Sequence, residues 1–240
     1  MANKANRACA KVDIRVLKTM APFLFFKKGN TVGLDLSGDT VFAKAMGANA
    51  VGFDNPWDGS FSIEAQVFPM EYLALLSDGS IDDTAVDAVK EEITATTAGT
   101  LTIPTGVKTG TLFVYNAGEY GGTPIAGTFT GTTFTATASA DIVADTTYEV
   151  GYLIEKTTGV RKVSFNNAKA TQDYFVTLLT EDKDEDGTVT AKKYIIYKCK
   201  PKRTFSVSHS SEGDPMSVKI EFQALEDKDG NYVDVLEATE

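Results

Sequence analysis

The sequence predicts a mainly β protein. Two packed antiparallel sheets, sandwich- or barrel-like, are expected, with a short flanking α-helix and an inserted threonine-rich β module. Three observations carry this. Short runs alternate apolar and polar residues with the two-residue period of a half-buried strand. Clusters of Gly, Asn, Asp and Pro punctuate those runs as turns. Only Met70 to Ser77 has the spacing of a clear helix.

From the N-terminus, the alternation Thr31-Val-Gly-Leu-Asp-Leu36 predicts a strand, and Ser37-Gly38-Asp39 a turn. Thr40 to Met46 is expected to pair back on that strand. Gly47 to Gly59 reads as a long Gly- and Asn-rich loop carrying Val51, Phe53 and the only tryptophan, Trp57. Loops of about 12 residues or more inside a domain are usually functional. Free apolar side chains on such a loop predict a contact with another molecule, the alternative being that Trp57 folds back onto its own core. Ser60 to Phe68 alternates cleanly and is a half-buried strand. Pro69 opens the helix, since its missing N–H is not needed in the first turn. Tyr72, Leu73, Leu75 and Leu76 make its apolar stripe, and Asp78-Gly79 ends it. Asp82 to Ile93 fits helix and strand equally.

At Thr94 the composition changes. Thr94 to Thr147 holds 17 threonines in 54 residues and only four charges, Lys108, Glu119, Asp141 and Asp145. Threonine prefers strands, and short strands at this spacing predict a small β-sandwich. The chain thus divides into residues 1–93, the first part of a core; 94–156, the inserted module; and 157–240, the second part. Thr147 to Glu155 leads out of the module as a strand. Val160–Phe165, Tyr174–Thr180, Tyr194–Cys199, Thr204–Ser208 and Ser217–Leu225 are expected strands.

Composition narrows function. The chain of 240 residues has 23 Lys and Arg against 33 Asp and Glu, a net charge of −10, and so lacks the basic footprint that wraps nucleic acid. Two cysteines, Cys9 and Cys199, are too few for a disulfide scaffold. With one histidine, His209, a His/Cys metal centre would have three scattered ligands, so no metal or other cofactor is expected. The longest apolar run near the start, Met20 to Phe26, is too short to span a bilayer, and no signal peptide is evident.

Three motifs invite chemistry and fall short of it. Asp182-Lys-Asp-Glu-Asp-Gly187 copies the start of a calcium loop, but Lys193 stands where the bidentate glutamate belongs, and a hairpin turn accounts for the same residues. Ser206 to Asp214 surrounds His209 with Ser and Asp, yet no nucleophile elbow is present. A Cys–His dyad is opposed by the strand pattern around Cys199, which reads as a buried thiol. No catalytic residues are assigned. Lys198, Lys200, Lys202 and Arg203 form a basic row, expected either as a solvated strand face or as an inter-subunit face against a neighbour's acidic turns.

The order of these pieces resembles the major tail tube proteins of long-tailed bacteriophages. The resemblance rests on the strand-then-helix segment Gly59–Gly79, on Lys193–Pro201, on Thr204–Val207, and on Val218–Asp227 with its Phe222-Gln-Ala-Leu-Glu-Asp227 ending. The threonine-rich module departs from the smallest members of that family. The resemblance implies a structural virion protein, not an enzyme, whose hexameric rings stack into a hollow tube through which the genome is ejected. It implies homo-oligomeric partners, further tail proteins such as tape measure, baseplate or tail terminator, and DNA that passes without specific binding. Its place would be the virion tail, after assembly in the host cytoplasm. Two other readings stand beside it: a β-sandwich surface or binding module, and a β-rich glycan-active enzyme with paired carboxylates.

Overall fold

The computed structural model describes residues 3–27, 29–209, 211–213 and 215–238. Among them, seventeen strands and one α-helix follow in chain order. They are β1 (Lys4–Ala5), β2 (Lys11–Val16), β3 (Pro22–Phe26), β4 (Thr31–Ser37), β5 (Thr40–Ala45), β6 (Ala48–Asp54), β7 (Asp58–Ala65), α1 (Met70–Ala74), β8 (Ala85–Thr94), β9 (Thr100–Thr102), β10 (Phe113–Asn116), β11 (Gly127–Thr130), β12 (Thr133–Ala136), β13 (Thr147–Lys156), β14 (Tyr174–Asp184), β15 (Val189–Pro201), β16 (Val218–Leu225) and β17 (Val233–Ala238). The mainly β class with one short helix is as predicted, and no barrel closes. Two compact units make up the chain, Met1–Ile81 with Val163–Glu240, and Asp82–Lys162 between them.

The first unit is one antiparallel strand network folded around one core. Its path runs β3-β2-β14-β15-β16-β7-β4, with β1 against β14 and β17 against β15. Strand β15 belongs to two layers: residues 191–196 pair with β17 and residues 198–201 with β16. Between these halves its register against β14 slips, Val176 facing Ile196 but Tyr174 facing Cys199, so β15 carries one extra residue. Such a bulge bends a strand and lets it turn the corner between packed sheets. It also resets the alternation, so that Ile196 and Cys199, three apart, both point into the core.

Helix α1 sits inside this curl. Fully buried Tyr72 stacks on Phe26 of β3 (centroids 5.2 Å apart) and donates its hydroxyl to the Ile63 carbonyl of β7 (2.7 Å). Strands far apart along the hydrogen-bonded path therefore meet on one side chain. Phe61 and Phe222 stack at 4.5 Å across β7 and β16.

The second unit is a small sandwich of two three-stranded sheets, β10-β13-β8 and β11-β12-β9. Leu101, Ile103, Val114, Phe134, Ile142, Tyr148 and Val150 fill its core. The segment 82–93, open between helix and strand in the sequence, enters as β8, which pairs with β13 over ten residues. The two ends of this unit meet: Asp82 and Lys162 exchange both backbone hydrogen bonds, at 2.9 and 2.8 Å.

Several local expectations are corrected. Strand β4 pairs with β7, not with the segment after the Ser37-Gly38 turn. Gly47–Gly59 is not a loop: most of it is β6, paired with β5. Val160–Phe165 contributes only the bridge at Lys162, and Thr204–Ser208 is irregular. In both cases an alternating pattern lacked a neighbouring strand to complete it.

Candidate assembly surfaces

Strands β4 to β7 form one long hairpin, interrupted at 38–39 and 55–57. Its proximal half, β4 with β7, lines the core; its distal half, β5 with β6, lies outside it, and every residue from Thr40 to Asp54 is exposed. Six residues of strand extend ~20 Å. The tip is a two-residue turn in which Met46 (φ 51°) and Gly47 (φ 86°) both lie in the left-handed region, the mark of the hairpin turn that matches strand twist. Asn55 N–H donates to the Asp39 carbonyl (2.8 Å) and closes the base.

The ribbon has two unlike faces. Val41 lies directly opposite Phe53, and Ala43 opposite Val51, so one face is wholly apolar over these pairs. Thr40 opposite Asp54, with a 2.9 Å hydrogen bond, and Phe42 opposite Gly52 make the other. Val41, Val51 and Phe53 are each more than half exposed, and Phe53 reaches 60 %. Trp57, at the hairpin's break, lies against Gly38 and keeps 64 % of its surface open. Val51 and Phe53 thus share one face, while Trp57 stands at the ribbon's base. The sequence reading missed Val41 and Met46, whose exposure follows from the β5–β6 pairing.

Of Gly47, Gly52 and Gly59, only Gly47 uses a left-handed backbone. Gly52 makes room for the Phe42 ring, and Gly59 is buried where an added Cβ would lie 2.6 Å from Leu36 Cδ2 and 3.2 Å from the Asp35 carbonyl.

The basic row begins on β15 and is largely engaged within its own chain. Lys198 and Lys200 flank inward-pointing Cys199. Lys200 approaches Asp173 (3.8 Å), Lys202 approaches Glu221 (3.5 Å), and Arg203 donates to the carbonyls of Asn166 and Lys169 (3.0 Å each). Lys219 and then Lys202 hold the Glu221 carboxyl below its usual range. The result is a face of mixed charge, in which Lys198 alone of the four has no polar partner among the described residues.

The acidic turns are likewise occupied. Asp182 accepts from Lys192 (2.8 Å) and Asn6 (3.1 Å), and the lysine holds its pKa down. Asp184 accepts the Thr188 N–H (2.7 Å). Cys199 is fully buried, which pushes its thiol pKa up, whereas Cys9 and His209 are exposed. Ser210 and Asp214 of the Ser/His/Asp cluster lie outside the described residues. No helix among the described residues is long and apolar enough to cross a membrane.

A curled β core with open strand edges and a projecting apolar ribbon defines a mainly β protein whose described surface offers both unpaired strand edges and exposed apolar side chains. The chain belongs to the YomU/Tube protein family, whose model matches residues 8–235, the span of both units. This is a phage-derived family of tube proteins, in accord with the resemblance to tail tube proteins, and the chain is a phage tube-like structural protein. No curated protein matches it individually.

Proposed function

We propose that this chain assembles into hexameric rings that stack as the tail tube of a bacteriophage and conduct DNA during ejection. The observation that carries the reading is the β5–β6 ribbon, a two-stranded element with one apolar face that lies outside the core. A tube needs a contact along its axis as well as around each ring, and a projecting element can reach a neighbouring ring. Val51 and Phe53 on the ribbon, and Trp57 at its base, are the proposed inter-ring contact. Burying such side chains contributes ~1.5–3 kcal/mol each.

Around the ring, the row Lys198, Lys200, Lys202 and Arg203 is the proposed side contact, with Lys198 free to meet a neighbour's carboxylate. Six copies would carry −60, six times the −10 of one chain, and like charge keeps passing DNA from sticking. Tape measure, baseplate and terminator proteins are the proposed partners, met in the host cytoplasm before the tail is complete.

Sedimentation velocity across a concentration series tests this. A species of six chains that grows into larger stacks is expected; a single-chain species at every concentration would overturn it.

A further inference from the structure

We propose that the outer face of the β10-β13-β8 sheet in the second unit binds a neutral, β-linked gluco-configured oligosaccharide, with Phe113 and Tyr120 as the stacking platform. The proposal rests on that unit alone and is independent of the tube reading.

Three features that are unfavourable singly act together here. Gly151 stands mid-strand in β13, where glycine has no side chain to pack. Glu149, two residues before it on the same outward face, is a nearly buried carboxylate. Lys90, directly across from Gly151 on β8, gives up freedom to pair with Glu149 (3.0 Å). All three fix one exposed ring. Gly151 leaves the space in which Tyr120 lies: an added Cβ would run into the ring and its hydroxyl. Glu149 accepts the Tyr120 backbone N–H (3.0 Å), and the Lys90 ammonium sits 4.6 Å from the ring centroid. Tyr115 supports the ring from β10, at 5.2 Å between centroids. Phe113, directly opposite Gly151 on β10, continues the row. Both Phe113 (48 %) and Tyr120 (45 %) remain open to solvent. A platform held this way loses little freedom on binding, which is how preorganised sites gain affinity.

The form of the site selects the ligand. The hollow has a volume of about 380 Å³, within the range of small-molecule sites. The second unit carries ten acidic and five basic residues, the wrong balance for stacking a nucleic acid strand. An aromatic face is electronegative and attracts the C–H face of a sugar ring. Gluco-configured, β-linked sugars present such faces because their hydroxyls point to the ring edge. Those hydroxyls would meet the phenols of Tyr115 and Tyr120, which have no hydrogen-bond partner among the described residues, and the remaining N–H groups of Lys90.

The test is calorimetric titration of cellohexaose and of chitohexaose into the full chain and its variants, with melting temperature and sedimentation recorded for each. Binding of at least one is expected at ~1 mM or below. Phe113→Ala and Tyr120→Ala should weaken it at least ~10-fold without lowering the melting temperature by more than a few degrees. Gly151→Ala, which displaces the ring and leaves its chemistry intact, should do the same. No binding of either sugar by the native chain, or equal binding by Tyr120→Ala, would overturn the proposal. So would variants that bind sugar normally and alter self-association instead, since the face would then be a contact between copies.

Discussion

At Tyr174 the core of the first unit holds a hydroxyl that finds no hydrogen-bond partner among the described residues, while the ring packs edge-on against Phe23 at 5.5 Å. Burial pushes the phenol pKa up. An unsatisfied buried hydroxyl costs ~1–3 kcal/mol, so Tyr174→Phe is expected to be neutral or stabilising by ~1 kcal/mol in urea denaturation. A nearby group works the other way. The Asp78 carboxylate pairs with Lys169 (2.7 Å) and accepts from Ser80, and these contacts, the lysine first, hold its pKa well below the usual carboxylate range. Its stabilisation is therefore present above the unfolded-state value of about 4 and is lost as pH falls toward the folded-state value. Asp78→Asn should cost ~1–2 kcal/mol at pH 7, and urea midpoints at pH 7 and pH 3 should differ less for the variant than for the native chain. The sequence marked Asp78 only as the end of the helix and Tyr174 only as the start of a strand, because their contacts, Lys169 at 91 positions from Asp78 and Phe23 at 151 from Tyr174, are set by the fold. Cys199, by contrast, was legible as buried from the lysines on either side of it, Lys198 and Lys200, although the bulge between Ile196 and Cys199 breaks the alternation of the strand as a whole.

Elements were legible where their own pattern decided them and not where pairing did. Ser60–Phe68 and Ser217–Leu225 alternate strictly and became β7 and β16. Half of the ribbon was legible: Thr40–Met46 was read as a strand, though with β4 as its partner, whereas β6 was misread as a loop, because neither strand has a buried face to leave an alternation between core and solvent. Its glycines look like loop residues, although Gly52 instead seats the Phe42 ring against a strand. If the ribbon makes the axial contact, Phe53→Ala should shift the monomer's stability by less than ~0.5 kcal/mol, as an exposed substitution, while weakening stacking; denaturation and sedimentation of one preparation check both. The second unit also yields a prediction. Since Asp82 and Lys162 are antiparallel neighbours, residues on either side of them can be bridged by a tight turn. Replacing residues 82–162 with a two- to four-residue Gly/Asn linker should leave a cooperatively folding first unit. An insoluble product would show that the inserted unit is part of that fold. The threonine bias marked most of this unit, but β8 lacks the bias and joins it only by pairing with β13.

For the whole molecule, the central claim is that one chain supplies both directions of a tube: strand edges and a charged row around the ring, and the β5–β6 ribbon along the axis. The sheet path ends at β3 and β4, each with an edge that has no strand partner among the described residues. Such edges, unless paired, are templates for another chain. Open edges and exposed apolar surface are the features that motivate the proposed assembly, whereas ring number and stacking would be set between copies and so leave no periodic signal in one sequence. Electron microscopy of the concentrated native chain beside a variant in which Gly-Asn replaces residues 40–54 tests the claim most directly. The account predicts tubes or stacked rings for the native chain and separate, unstacked rings for the variant. Monomers in both, or tubes of equal length in both, would contradict it.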